Sequence, residues 1–120
     1  MRVAITAVGK RHGAHVDPRF GRCNFLAIVD TQKEQWEFIP NPGLSFGGGA
    51  GARVARELAG WKVACVVTGH IGPDALAVLE AAGIEVHTGV GGTVQQVFDL
   101  YRQGLLKATT LNNYPQDNAS

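Results

Sequence analysis

A chain of 120 residues, with 45% hydrophobic and 18% charged residues, has the size and composition of one globular domain that buries a core without a disulfide or structural metal. The net charge of +1 argues against a broad basic surface for nucleic acid or for a membrane, so we expect a small ligand. Two cysteines outside CxxC spacing, with neither a signal-like segment nor a long apolar run, predict a cytoplasmic protein.

Five short segments have the apolar patterns of β-strands. Residues 2–7 and 62–68 are continuous apolar runs rich in β-branched residues, which is typical of central strands buried on both faces. Residues 25–30 and 35–39 flank a polar turn and predict a hairpin whose second arm alternates as an edge strand does. Residues 84–88 alternate in the same way and predict a second edge strand.

Three helices are predicted in the remaining segments. Residues 50–59 have an apolar face opposite a charged one, which predicts an amphipathic helix. Residues 73–82 begin with proline, which favours the first helical position. Thr93 and Gln96 have the spacing of a capping box, and apolar residues follow at helical spacing until Gly104.

The element order βββαβαβα favours an α/β fold of three layers. We expect a five-stranded mixed sheet of strand order 3-2-1-4-5 in which only strand 2 is antiparallel, because this order places the two alternating strands at the edges. Residues 1–107 should form a single domain, and residues 108–120, which are polar and lack periodicity, should form a loose C-terminal tail.

The chain has 16 glycines, about twice the average usage, and most lie in loops that this topology brings to one rim of the sheet. These loops are residues 8–24, 41–51, 69–74 and 88–92, and three of them lead into helix N-termini. Helix N-termini offer N–H groups and positive partial charge to an anion, and glycine lets the backbone approach it. The convergence predicts an anion site, the alternative being that the glycines only form turns. The glycines assigned to this site are Gly21, Gly47, Gly48, Gly49, Gly51, Gly69, Gly72, Gly91 and Gly92.

Side chains in the same loops are candidates for charge pairing or metal ligation. Arg19 and Arg22 could offset the charge of an anion and lower the pKa of the Cys23 thiol, whose thiolate would ligate a soft metal. The alternative for Cys23 is a small buried residue at a strand start. His70 directly follows a central strand, where side chains point into the crevice, and is a second candidate ligand.

The other histidines and the second cysteine have simpler interpretations. His12 and His15 have H-x-x-H spacing and are candidate metal ligands, with solvated loop histidines as the alternative. Cys65 lies within an apolar strand and should pack in the core, while His87 on an edge strand should lie in solvent. No nucleophile elbow, HExxH motif or carboxylate pair indicates an active site, so a binding protein is favoured over an enzyme.

Several motifs resemble, in order and spacing, those of the dinitrogenase iron-molybdenum cofactor biosynthesis domain family. The resemblance covers residues 1–107 and is carried by DPRFGRCNFLAIVD, the Asn41-Pro42 turn, GGGAG, TGHIGPDALAVLEAAGIEV and GGTVQQVFDLYRQGLLK. It implies a ribonuclease H-like fold and non-catalytic binding of an anionic metal-sulfur cluster that contains molybdenum with iron or copper.

This chain departs from the family pattern at two places. Many members carry histidine just before Phe-Gly, where this chain has Arg19, and histidine in the loop that opens the first helix, where it has glycines 47–49. We therefore expect a carrier that holds its cluster through backbone N–H groups and arginine charge, with Cys23 and His70 as candidate ligands. Its partners would be cluster assembly or acceptor proteins, and the chain would be a monomer or weak dimer. The alternative is a phosphate or nucleotide-binding module that uses the same helix N-termini.

Overall fold

A computed structural model describes residues 1–44 and 48–114 of the chain. It has α/β architecture, and its five-stranded sheet has the predicted order β3-β2-β1-β4-β5. The strands are β1 (Arg2–Ala7), β2 (Phe25–Asp30), β3 (Gln35–Pro40), β4 (Cys65–Val67) and β5 (Glu85–His87). The helices are α1 (Ala50–Gly60), α2 (Pro73–Ala81) and α3 (Val94–Arg102). Within this described part of the chain, no helix is long and apolar enough to cross a membrane.

The strand directions match the prediction. β2 is antiparallel to β1 and to β3, whereas β1 and β4, and β4 and β5, are parallel pairs. β4 and β5 have three residues each and are shorter than the predicted runs over 62–68 and 84–88. The residues before β4 close the end of α1 and are not part of the strand, since Val63 N donates a hydrogen bond to the Leu58 carbonyl.

The sheet separates two apolar cores. Ala4 of β1 packs in the core that contains α1 and α2, whereas its neighbours Val3 and Ile5 pack in the core that contains α3. Helices α1 and α2 connect strands that advance in the same direction across the sheet, so right-handed crossovers place both on one face. Helix α3 follows the last strand and packs on the other face, which completes the three predicted layers.

The N-terminus of α3 is closed by the predicted capping box. Thr93 Oγ1 accepts a hydrogen bond from Gln96 N at 3.1 Å, and Gln96 Oε1 accepts one from Thr93 N at 2.9 Å. Val94 N donates to the Ala14 carbonyl at 2.8 Å. These N–H groups are used within the chain, so the expectation that three helix N-termini converge on one site is wrong for α3.

His87 is buried, and the prediction that it lies in solvent is wrong. The residue is 4% exposed, and the ring of Tyr101 in α3 lies 6.0 Å from its ring. Ala108 pairs with the backbone of His87 along the outer side of β5. Because α3 and the returning chain cover this strand, alternation along β5 does not correspond to an open face.

The segment 108–114 packs against the fold, although a loose tail was expected there. Thr109 N donates to the Val86 carbonyl at 2.6 Å, and the Tyr114 hydroxyl donates to the Ile71 carbonyl. Polar groups of Thr109 and Tyr114 therefore find partners on neighbouring elements. The residues after Tyr114 lie outside the described part of the chain.

Candidate functional site

A pocket of about 530 Å³ opens between the loop 18–22 and the N-termini of α1 and α2. Three of the four loops predicted to meet at the rim contribute to it. Its walls combine small and apolar residues with two arginines, one histidine and one aspartate: Pro18, Arg19, Phe20, Gly21, Arg22, Gly49, Gly51, Ala52, His70, Gly72, Pro73, Asp74 and Ala75.

Helices α1 and α2 both begin at this pocket without a side-chain cap. Their N-cap residues are Gly49 and Gly72, and neither makes a side-chain hydrogen bond to its helix. Gly49 has a φ of 81°, in the left-handed region that glycine adopts without a Cβ clash. The first turn of a helix directs N–H groups outward and carries positive partial charge. Two helices therefore present hydrogen-bond donors and positive potential to one pocket.

Glycines allow the walls of the pocket to meet through their backbones. A Cβ on Gly21 would lie 2.7 Å from Gly51 N, and a Cβ on Gly69 would lie 2.6 Å from the Cα of Pro18. Both distances are shorter than real Cβ contacts, and the atoms that they would meet are backbone. Gly21 and Gly69 are thus required for close approach, and their roles are not limited to turn formation.

The loop that carries Arg19 is organised by Asp17, which is fully buried. Asp17 Oδ1 accepts hydrogen bonds from Arg19 N at 3.1 Å and Arg19 Nε at 3.2 Å, and Oδ2 accepts one from Asn24 N at 3.2 Å. The hydrogen bond to Asp17 and the charge of its carboxylate raise the pKa of Arg19. Asp-Pro at the start of a turn is a sequence signal for such side-chain-to-backbone bonds.

Asn41 is a second organising residue whose contacts the sequence did not reveal. It is 5% exposed, and its Nδ2 donates to the Gly21 carbonyl at 3.0 Å and to the Cys23 carbonyl at 2.9 Å. Its Oδ1 accepts a hydrogen bond from Gly43 N at 2.8 Å. The Asn-Pro-Gly sequence predicts a turn, and the structure uses that turn to fix the loop that forms one wall of the pocket.

Cys23 lies in the core, and the prediction of a lowered thiol pKa is wrong. Its side chain is fully buried beside Phe20 and Leu26. Burial raises the pKa of Cys23 to about 12, with a smaller contribution from the negative charge of Asp17. Cys23 is therefore a neutral, packed thiol, which is the alternative interpretation of this residue.

The pocket does bring together three of the predicted side chains. Arg19, Arg22 and His70 all line it. The backbones of Arg19 and His70 pair as a parallel bridge, and Phe20 N donates to the His70 carbonyl at 3.1 Å. This pairing fixes the two residues next to each other at the mouth of the pocket.

His12 and His15 are placed away from the arginines. The ring of His12 packs edge-on against Trp36 at 4.8 Å, and Trp36 belongs to the core on the α3 face. His15 pairs with Thr93 at the start of α3. Neither histidine lines the pocket, so the H-x-x-H pair is not part of this site.

The predicted glycines divide between the pocket and other positions. Gly21, Gly49, Gly51 and Gly72 line it. Among the other described glycines of the predicted set, Gly69 supports a wall from behind, and Gly48, Gly91 and Gly92 are not lining residues. Gly47 lies outside the described residues.

A family model described as dinitrogenase iron-molybdenum cofactor matches residues 1–104. The chain belongs to this family. The family predicted from sequence motifs is thereby confirmed.

Proteins similar to this chain over most of its length include two solved structures and one sequence relative. The apo form of the orange protein from Desulfovibrio gigas is 34% identical with a TM-score of 0.86, over 90% of this chain and 92% of that chain. A Thermotoga protein of the DUF35 family is 32% identical with a TM-score of 0.81, over 98% of each chain. An uncharacterized protein of Methanocaldococcus jannaschii is 26% identical over 110 residues, which cover 89% of this chain and 90% of that protein.

Proposed function

We propose that this chain binds an anionic metal-sulfur cluster, containing molybdenum with iron or copper, in the pocket between loop 18–22, α1 and α2, and carries it to other proteins. The observation that carries the proposal is the meeting of two uncapped helix N-termini in one pocket with apolar walls. Membership of the dinitrogenase iron-molybdenum cofactor family supports a cluster as the ligand.

The apolar side chains of the pocket favour a metal-sulfur cluster over a phosphate. Phe20, Pro73 and Ala75 contribute to its walls, and they offer no side-chain hydrogen bonds to a strongly hydrated phosphate. Sulfide is a softer and more polarisable ligand than oxygen, and it suits such a mixed environment. Because the charge of Arg19 is matched by Asp17, the pocket relies on helix N-termini and directed N–H groups more than on net positive charge.

The residues present suit a cargo that is held without strong coordination. N–H groups of the first turns of α1 and α2, with the guanidinium groups of Arg19 and Arg22, would contact its sulfides, and His70 is the candidate ligand that remains at the pocket. The buried Cys23 is left out of this set. Such contacts would let an acceptor protein with stronger ligands remove the cluster. The expectations that the chain is not an enzyme and that it works in the cytoplasm stay predictions.

Binding can be tested on the metal-free protein with defined probes. Tetrathiomolybdate, with and without copper(I), should bind saturably near one equivalent and give visible charge-transfer bands that change on binding. ATP and inorganic phosphate, followed by calorimetry, should bind far more weakly. Saturable binding of ATP or phosphate without binding of tetrathiomolybdate would support the phosphate or nucleotide-binding module instead.

A charge placed in the first turn of α1 gives a sharper test. Ala52→Asp puts a carboxylate in the pocket wall at a helix N-terminus, where acidic residues favour the helix but repel an anion. We expect tetrathiomolybdate affinity to fall at least tenfold with no loss of thermal stability. The matched control is Gln95→Asp, the same charge in the first turn of α3 outside the pocket, which should leave the affinity unchanged.

A further inference from the structure

A second group of metal-ligating side chains lies on the α3 side of the sheet. Cys65 of β4 and Glu85 and His87 of β5 each offer one ligand atom, and these three atoms lie within 4.8 Å of one another. We propose that these residues form a binding site for a divalent transition metal ion of the zinc class, independent of the proposed cluster pocket.

The strand register brings the three residues together. Cys65 and Glu85 are Cα partners in the parallel pairing of β4 and β5. His87 follows Glu85 by two residues, so both side chains project from the same face of β5. Cys65 belongs to the core on the α3 face, and the three donors therefore project from adjacent positions of a hydrogen-bonded sheet.

His87 is buried and places Nε2 beside the carboxylate of Glu85. Its side chain is 5% exposed, and Nε2 lies 3.3 Å from Glu85 Oε2. Its Nδ1 is buried and has no hydrogen-bond partner among the described residues. A neutral imidazole nitrogen is the commonest protein ligand for a metal ion. Nε2, which lies beside the Glu85 carboxylate, is therefore the ring nitrogen that would bind the ion, and Nδ1 would carry the ring proton.

The donor set matches the preferences of zinc. Thiolate, imidazole and carboxylate all bind Zn²⁺, at distances of about 2.0–2.3 Å, so the ligand atoms of a tetrahedral site are about 3.3–3.7 Å apart. The Glu85 and His87 atoms are already 3.3 Å apart, and the thiol needs only a small side-chain shift. On binding, the Cys65 thiol proton is released to solvent and the thiolate bonds the metal.

A cavity gives a metal ion access to this group. It has a volume of about 550 Å³, and its lining residues include Glu85, His87, Tyr101 and Leu106. The Glu85 side chain is 55% exposed and stands at the entrance, whereas Cys65 is buried behind it. Three protein ligands with open space beside them leave a fourth position for water or a small ligand.

Cobalt titration of the metal-free protein tests the proposal, because Co²⁺ in a tetrahedral thiolate site absorbs visibly where Zn²⁺ is silent. We expect about one equivalent of Co²⁺ to produce a thiolate charge-transfer band that Zn²⁺ abolishes by competition. Cys65→Ser should remove the band and lower zinc affinity at least a hundredfold, whereas Cys23→Ala, the matched buried thiol, should keep both. Absence of Co²⁺ and Zn²⁺ binding by the unaltered protein would overturn the proposal.

A second variant covers the case in which Cys65→Ser fails to fold. Glu85 is half-exposed, so Glu85→Gln should keep the melting temperature of the metal-free protein and lower zinc affinity at least tenfold, whereas Glu37→Gln on edge strand β3 should change neither. Equal zinc affinity in Glu85→Gln and the unaltered protein would also overturn the proposal. The zinc site and the cluster pocket are tested separately. The Glu85→Gln variant should bind tetrathiomolybdate normally, and the Ala52→Asp variant should bind zinc normally.

Discussion

Arg19 donates hydrogen bonds from Nε and Nη2 to the carboxylate of Asp17, at 3.2 and 3.3 Å, although Asp17 is fully buried and the Arg19 side chain is 60% exposed. The same carboxylate accepts the backbone N–H groups of Arg19 and Asn24. One buried side chain therefore sets both the path of the pocket loop and the direction of the guanidinium at its mouth.

Removal of this carboxylate should unfold the loop first and destabilise the whole domain. We expect Asp17→Ala to lower the free energy of unfolding by about 2–4 kcal/mol, because two backbone N–H groups lose their acceptor. Urea denaturation followed by circular dichroism measures the change. Asp74→Ala, an exposed aspartate in the first turn of α2 at the same pocket, is the control and should lower stability by only about 0.3–1 kcal/mol, the usual contribution of an acidic residue at a helix N-terminus. Equal losses in the two variants would contradict this role for Asp17.

Because the backbone of Gly51 lies close to Gly21, adding even one methyl group at Gly21 should destabilise the protein. Gly21→Ala would place a Cβ 2.7 Å from Gly51 N, so the loop and α1 must move apart. We expect a loss of about 1–3 kcal/mol in stability and weaker tetrathiomolybdate binding. Gly13→Ala has nothing within 4 Å of its Cβ and serves as the control in the same denaturation and binding assays. Wild-type stability of Gly21→Ala would show that the contact is not tight in solution.

The separation of α3 from the pocket predicts a variant that changes stability without changing ligand binding. Thr93→Ala removes the capping box and should lower the free energy of unfolding by about 1 kcal/mol. Tetrathiomolybdate affinity should be that of the unaltered protein, since the N-terminus of α3 lies outside the pocket. A fall in affinity in this variant, measured at a temperature where it is fully folded, would place α3 back in the site.

The two buried thiols should make the protein unstable in alkali. Burial raises the pKa of Cys23 and of Cys65 to about 12, whereas thiols of the unfolded chain ionise near about 8.5. Below a pH of about 8.5, the thiols are protonated in both the folded and the unfolded chain. As the pH rises through this window, only the unfolded chain releases them, so stability falls by about 1.4 kcal/mol per thiol and pH unit.

Urea denaturation between pH 8 and 11 in the presence of a chelator measures this loss. The variant Cys23→Ala should lose stability less steeply with pH than the unaltered protein, by the contribution of one thiol, because other groups titrate equally in both. Parallel pH profiles for the two proteins would mean that Cys23 ionises normally in the folded state.

Local and topological signals in the sequence predicted most of the fold. The Thr93 capping box needs only neighbouring residues, and the strand order follows from which strands alternate and which are continuously apolar. The face on which α3 packs could not be derived in the same way. Helices α1 and α2 are crossovers between parallel strands, so handedness fixes their face, whereas α3 follows the last strand and handedness does not apply to it.

The parts of the pocket that backbone topology determines could be predicted from the sequence. The glycine-rich helix starts at Gly49 and Gly72 meet as expected, because strand order brings them together. Cys23 and His87 were misplaced because their burial depends on elements distant in sequence: Cys23 packs under α1 and α2, and His87 is covered by α3 and residues 105–109. The alternation of apolar and polar residues along a strand gives no information about a later segment of the chain that packs over the strand.

The contact of Gly21 with Gly51 and of Gly69 with Pro18 has a mechanical consequence. Main-chain atoms have no rotamers, so the spacing between these walls cannot adapt by side-chain rotation and changes only if a whole helix or loop shifts. A rigid pocket of this kind would select the proposed cluster by its size and shape. Under the proposed function, release would then depend on the ligands of the acceptor protein and not on a conformational change of this chain.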